Sequence, residues 1–112
     1  MDGRTIILNS EFMGSGDDEL GALLMGNLLR KLWALETKPR RIVFYNSGVR
    51  LLAEGSACLD GLDGLYKAGV DLIACGTCID KYGLRGKLAL GRVSDMQEIV
   101  ETIMNSESVA TI

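Results

Sequence analysis

A chain of 112 residues that is 47% hydrophobic, with one proline and fourteen glycines, has the composition of a single globular domain rich in tight turns. Twelve basic against fifteen acidic residues leave a net charge of −3, which removes the electrostatic footprint of a nucleic-acid binder. The apolar runs are too short to cross a bilayer and no basic-then-apolar leader opens the sequence, so the expected location is cytoplasmic.

The β-branched run Thr5-Ile6-Ile7-Leu8-Asn9 reads as a first strand. The loop after it, Gly14-Ser15-Gly16-Asp17-Asp18, lacks the Gly-Lys-Ser/Thr ending of a phosphate loop, and its two carboxylates would repel phosphate. Asp17 and Asp18 therefore read as helix caps. A helix is expected from Asp17 to Leu35, with Leu20, Leu24, Leu28 and Leu32 on one stripe and Met25, Leu29 and Trp33 on the next. This apolar arc of roughly 200° is about twice what packing on a sheet needs. Part of it is expected to meet another subunit, with Trp33 on the outer stripe and Gly21, Ala22 and Gly26 admitting a neighbouring helix.

Residues 41–46 form a second strand, followed by a short helical turn over Val49 to Ala53 and a helix opened by Ser56, closed by Gly69 and weakened by Gly61 and Gly64. Val70 to Cys75 repeats the strand pattern. A short strand is expected at Leu88-Ala89-Leu90, and an edge strand at Ser108 to Ile112. Between them Ser94-Asp95-Met96-Gln97 has capping-box spacing, opening a helix whose buried face is Met96, Ile99, Val100, Ile103 and Met104. This alternation predicts an α/β three-layer sandwich with a mostly parallel five-stranded sheet. Ligands of such sheets sit outside the carboxyl ends of the strands, where Asn9, Ser10, Gly14, Gly16, Asn46 and Ser47 are candidates to line a small polar crevice.

The chemistry is carried by cysteine. There is no histidine and only three cysteines, so neither a structural zinc site within one chain nor a Cys-His pair is expected, and the odd count argues for reduced thiols over a disulfide framework. Cys75 and Cys78 stand at a strand-to-helix turn on the ligand-binding edge. Thr77-Cys78-Ile79-Asp80 has capping-box spacing, which would make Thr77 the N-cap and place Cys78 where the helix dipole favours a thiolate. Gly76 and Thr77 join the candidate site, while Cys58, in an ordinary helix, reads as structural.

The segments NSEFMGSGDDELG, FYNSGVRLLAEGS, CGTCIDKYGL and GRVSDMQEIVE, in this order, resemble the DsrE/DsrF-like family, and within it the C-terminal domains of YedF-like selenium-metabolism proteins. The resemblance implies a sulfur relay, in which a cysteine carries sulfur or selenium as a persulfide or perselenide between proteins and needs no cofactor. It also implies that the acceptor ends the third strand, with a glycine eight residues on, which maps to Cys75 and Gly83. Cys78 remains the alternative from the dipole argument. The implied partners are a TusA-like carrier domain or another persulfide donor or acceptor, and further copies of the chain. Residues 1–112 would then be one DsrE-like domain without the N-terminal TusA-like domain of YedF-like proteins. The other reading is a non-enzymatic oligomeric module that binds a small ligand or a partner, with structural or redox-sensing cysteines.

Overall fold

The computed structural model describes residues 3–112. In chain order it contains β1 (Arg4–Leu8), α1 (Asp18–Ala34), β2 (Arg41–Phe44), a 3-10 helix (Asn46–Leu52), α2 (Leu59–Lys67), β3 (Asp71–Cys75), α3 (Gly76–Lys81), β4 (Arg92–Ser94), α4 (Met96–Asn105) and β5 (Ser108–Thr111). The strands form one sheet in the order β4-β3-β2-β1-β5, and every pairing is parallel. Leu8 stands opposite Phe44 and Phe44 opposite Ala74, so the carboxyl ends of the three central strands are level.

The continuous apolarity of the central strands follows from burial on both faces. Ile6, Leu8, Ile42, Phe44, Leu72 and Ala74 point to one face and pack with Met25 and Leu29 of α1, Leu62 and Leu65 of α2 and Ile79 of α3. The Ile, Leu, Met and Phe side chains among these each contribute roughly 1.5–3 kcal/mol when fully buried. Ile7, Val43, Ile73 and Cys75 point to the other face, where Ile99 of α4 meets them. The chain steps in one direction from β1 to β4 and then crosses back to β5, and that return crossover carries α4 alone to the second face.

Asp17 caps α1 by accepting a hydrogen bond from the Leu20 N–H at 2.8 Å, as its position predicts. Four expectations need correction. The fourth strand is not at Leu88–Leu90 but at Arg92–Ser94. Leu88 instead bridges Ala53, and the Ala89 N–H donates to the Leu52 carbonyl at 2.9 Å, so this apolar segment braces the 3-10 helix. The helix expected from Ser56 begins only at Leu59, because the Ser56 hydroxyl accepts the Cys58 N–H at 3.1 Å in a local turn.

The third correction concerns α4. Its cap is Asp95, which accepts the Glu98 N–H at 2.9 Å, one residue beyond Ser94. Ile99 and Thr102 are buried, whereas Met96, Val100 and Met104 are exposed. A single helix about 10 Å wide cannot cover five strands spaced about 4.8 Å apart. The fourth concerns the glycines of α1 and α2. A Cβ at Gly64 would lie 2.2 Å from the Trp33 ring, and one at Gly61 would lie 3.3 Å from Leu29 Cβ. These glycines let the two helices of one chain approach each other, so the Trp33 ring lies against α2. Gly21 is likewise occupied from within, by Phe12 at 2.8 Å from its would-be Cβ. The exposed large apolar side chains of α1 are Leu20, Leu23 and Leu24 and, at the far end, the outer part of Trp33.

Candidate functional site

β3 ends at Cys75, which is 2% exposed and faces the α4 side with Ile73 and Val43. The chain turns directly into α3, and Cys75 itself occupies the N-cap position without a side-chain capping bond. Thr77, expected at that cap, is an exposed residue inside the helix. Gly76 is required by close packing, since a Cβ there would lie 2.9 Å from the Ser94 carbonyl oxygen and 3.3 Å from Val93 Cγ1. One turn on, Cys78 is half-buried and packs against the cluster that contains Cys75.

The loop after β2 meets this pair. Asn46 is the one non-glycine among the described residues with a positive φ, 50°, a conformation that asparagine tolerates better than most residues. Its main-chain N–H donates to Cys78 Sγ at 3.1 Å. Its side-chain oxygen accepts from the Ser47 N–H at 2.9 Å and from the Tyr82 hydroxyl at 3.1 Å. The Tyr82 ring lies under the Arg50 guanidinium, 4.9 Å from its centroid, and Arg50 pairs with Glu11 at 3.2 Å. The loop after β1 is tied to the same cluster, because Ser47 Oγ accepts the Glu11 N–H at 3.1 Å and Ser10 Oγ accepts the Phe12 N–H at 3.0 Å.

Asn46, Thr77, Cys78, Lys81 and Tyr82 enclose an open depression of about 310 Å³. A second hollow of about 170 Å³ lies on the other side of Arg50, between Phe12, Ala22, Leu51 and Cys58. Burial pushes the Cys78 thiol up; the Asn46 N–H opposes this, and the neighbouring Cys75 adds to the rise. The direction is opposite to the dipole-activated thiolate expected from the spacing, since α3 has only six residues and offers little dipole to set against desolvation. Burial also pushes the Cys58 thiol up, with Arg30 opposing it.

Of the residues chosen from sequence, Asn46, Gly76, Thr77, Cys75 and Cys78 meet at one place, Ser47 braces it by holding the Glu11 N–H, and Ser10 closes a turn within the loop after β1. Asn9 is exposed at the end of β1. Gly14 and Gly16, at φ 86° and 136°, have open space around them and do not line the depression. Gly83, at φ 67°, ends α3: its N–H donates to Asp80 and the Leu84 N–H to Ile79, the usual work of a glycine after a helix. Tyr82, Arg50, Glu11 and Lys81 escaped the sequence reading. The spacing of Cys78 and Tyr82, one helical turn apart, was the available signal for Tyr82. Among the described residues no group of three or more His, Cys, Asp or Glu is placed to hold a metal ion. No helix among them is long and apolar enough to cross a membrane.

No protein-family profile matches the chain, and no curated protein matches it. Solved structures do share its fold. The ychN protein from E. coli superposes with a TM-score of 0.75 at 16% identity, covering 100% of both chains. A protein of unknown function from Methanobacterium thermoautotrophicum, MTH1491, gives 0.69 at 24% identity over 97% of this chain and 98% of its own. A conserved protein of unknown function from Bacteroides thetaiotaomicron, BT1422, gives 0.63 at 15% identity over 98% and 95%. The chain thus has the α/β fold of ychN, MTH1491 and BT1422, with a five-stranded parallel sheet.

Proposed function

We propose that this chain is a cysteine-based sulfur or selenium carrier that holds the chalcogen as a persulfide or perselenide, with Cys78 as the receiving thiol and Cys75 as its resolving partner. The observation that carries this reading is the pairing of a half-buried Cys78, which opens onto a depression, with a buried Cys75 in the cluster it packs against. Access therefore favours Cys78 over Cys75 for the first attack. The Cys78 thiolate attacks the outer sulfur of a donor persulfide; a new S–S bond forms on Cys78, the donor's S–S bond breaks, and the donor leaves as a thiolate. An acceptor thiolate then takes the terminal sulfur and returns Cys78 to a thiolate. Without an acceptor, the Cys75 thiolate attacks Cys78 Sγ, hydrosulfide leaves, and the resulting disulfide needs a dithiol reductant to reset.

In this reading the chain is the DsrE-like part of a YedF-like system and works in the cytoplasm. Its partner is a TusA-like carrier domain or another persulfide-bearing protein, and exposed Leu20, Leu23 and Leu24 support association with further copies. Incubation with a persulfide donor followed by peptide mass spectrometry is expected to show a one-sulfur mass gain on the peptide holding Cys75 and Cys78. That gain is lost in Cys78→Ser and retained, without disulfide formation, in Cys75→Ser. No adduct from either a small-molecule or a protein persulfide would sink the proposal.

The upward push on Cys78 favours a second reading, a non-enzymatic binding module in which the cysteines are structural or redox-sensing. Alkylation separates the two: the carrier requires Cys78 to react first, Cys58 more slowly and Cys75 last. Equal protection of Cys75 and Cys78 in the folded protein favours the module.

A further inference from the structure

The contact between Asn46 and Cys78 joins two segments far apart in sequence and is held from behind by a chain of polar groups. Asn46 keeps a positive φ of 50° while its side-chain oxygen takes two donors, the Ser47 N–H and the Tyr82 hydroxyl. Tyr82 is in turn held against Arg50, and Arg50 against Glu11. What this arrangement delivers is one main-chain N–H aimed at Cys78 Sγ from 3.1 Å. A neutral thiol is a weak acceptor that gains little from such a donor, whereas hydrogen bonds to an anion are about twice as strong. The contact therefore discriminates between the two states of the sulfur.

We propose that Asn46, locked by Tyr82, is a positioning residue that turns its main-chain N–H onto the Cys78 sulfur and stabilises that sulfur whenever it is anionic. The inference rests on Cys78 being the receiving thiol, and it adds a role in both halves of the transfer. In loading, the N–H stabilises the attacking thiolate. In unloading, an acceptor thiolate attacks the terminal sulfur, the S–S bond breaks, and its electron pair returns to Sγ, where the same N–H is waiting. A donor fixed before the reaction costs no reorganisation during it. The other groups facing Cys78 are the Cys75 thiol from β3, Lys81 and Tyr82 on α3 and its end, and Arg50 reaching across Tyr82 from the 3-10 helix. Asp80 is already bound to Arg85 at 2.8 Å.

The test is the pH profile of Cys78 alkylation by iodoacetamide in the full chain, read by peptide mass spectrometry so that Cys58 and Cys75 are followed separately. Asn46→Val keeps the N–H but disfavours positive φ, and it is expected to raise the Cys78 midpoint by about one pH unit and slow alkylation at pH 7 about tenfold. Tyr82→Phe removes only the hydroxyl and moves the midpoint the same way by a smaller amount. Asn46→Gly, which adopts positive φ freely, brings the midpoint back at least halfway towards wild type. Profiles of Asn46→Val and Tyr82→Phe that superimpose on wild type overturn the inference, and if Asn46→Val does not fold, Tyr82→Phe decides alone. Sulfur loading of the wild-type chain is measured in parallel. Loading with unmoved profiles defeats the role of Asn46 and leaves the carrier standing, whereas shifted profiles without loading defeat the carrier and leave the Asn46 contact standing.

Discussion

Replacing Gly48 with alanine tests how the 3-10 helix that bears Asn46 and Arg50 is seated on the sheet. A Cβ at this position would lie 2.1 Å from the Leu8 carbonyl oxygen, 3.0 Å from the Leu8 carbonyl carbon and 3.3 Å from the Ser10 nitrogen. All three are main-chain atoms, so no side chain can swing aside. The same Leu8 carbonyl accepts the Tyr45 N–H at 3.3 Å, and Gly48 donates to the Tyr45 carbonyl at 3.0 Å. Relieving the clash needs a shift of about 1 Å of the 3-10 helix away from β1, an overpacking cost of about 2–3 kcal/mol. Alanine returns up to about 1 kcal/mol by restricting the unfolded chain. The net expectation is a loss of about 2 kcal/mol, which with a urea m-value near 1.3 kcal/mol/M lowers the midpoint by about 1.5 M. Urea titration followed by the fluorescence of the single tryptophan, Trp33, reads this directly. A midpoint within about 0.3 M of wild type at the same m-value would mean that the helix lifts from β1 at no cost, and the reasoning about the seat of Asn46 would fail.

Three further outcomes follow from other contacts. Glu98 is held down to about 2 by hydrogen bonds from Arg92 and Ser94. A carboxylate whose folded pKa lies below its ordinary 4.5 stabilises the fold above that value and loses the contribution as pH falls towards 2. With its side chain 39% exposed, screening reduces the gain to about 1 kcal/mol, so Glu98→Gln should lose that much at pH 7, and a denaturation gap against wild type that fails to narrow between pH 7 and pH 3 would refute the ion-pair account. Gly64→Ala should displace the Trp33 ring, 2.2 Å from the new Cβ, at a net cost of about 1 kcal/mol, because a ring already 46% exposed can swing outwards; an unchanged tryptophan emission maximum would contradict it. Leu23→Glu, on a side chain 59% exposed, should dissociate a self-associated form while sparing the fold, as a carboxylate is costly only where it is desolvated, and a light-scattering mass of one chain for the unmutated protein at high micromolar concentration would remove the premise.

The central strands, α1 with its Asp17 cap and the position of the thiol pair were legible in the sequence, because continuous apolar runs, helical periodicity and a strand-to-helix turn are local signals. What was not legible depends on partners remote in sequence. β4 has three residues, two of which, Arg92 and Ser94, engage Glu98 of α4, so it carries no apolar pattern, whereas the apolar Leu88-Ala89-Leu90 drew attention to the wrong place. Gly61 and Gly64 looked like flaws in α2 because the helix they accommodate, α1, precedes β2 in the sequence and is remote from them along the chain. Thr77 had the right spacing for a cap, but the strand runs into α3 without an intervening loop and leaves that position to Cys75. The contact of Asn46 with Cys78 runs through a main-chain N–H and left no residue pattern, so only the one-turn spacing of Cys78 and Tyr82 pointed to this cluster.

The pairing of β5 with β1, which sets Ser108 opposite Arg4, bears on how the protein is made. β1, α1 and β2, and then α2 and β3, form units of neighbouring sequence that can assemble as they are synthesised. α4 and β5 dock only after every other element exists, and contacts across so long a separation are slow to close. In that interval the second face of the sheet is open, and Ile7, Val43, Ile73 and Cys75 meet water. Cys75, 2% exposed in the finished fold, is therefore open to solvent only before the last helix closes, and any group added to it in that interval would have to fit beneath Ile99.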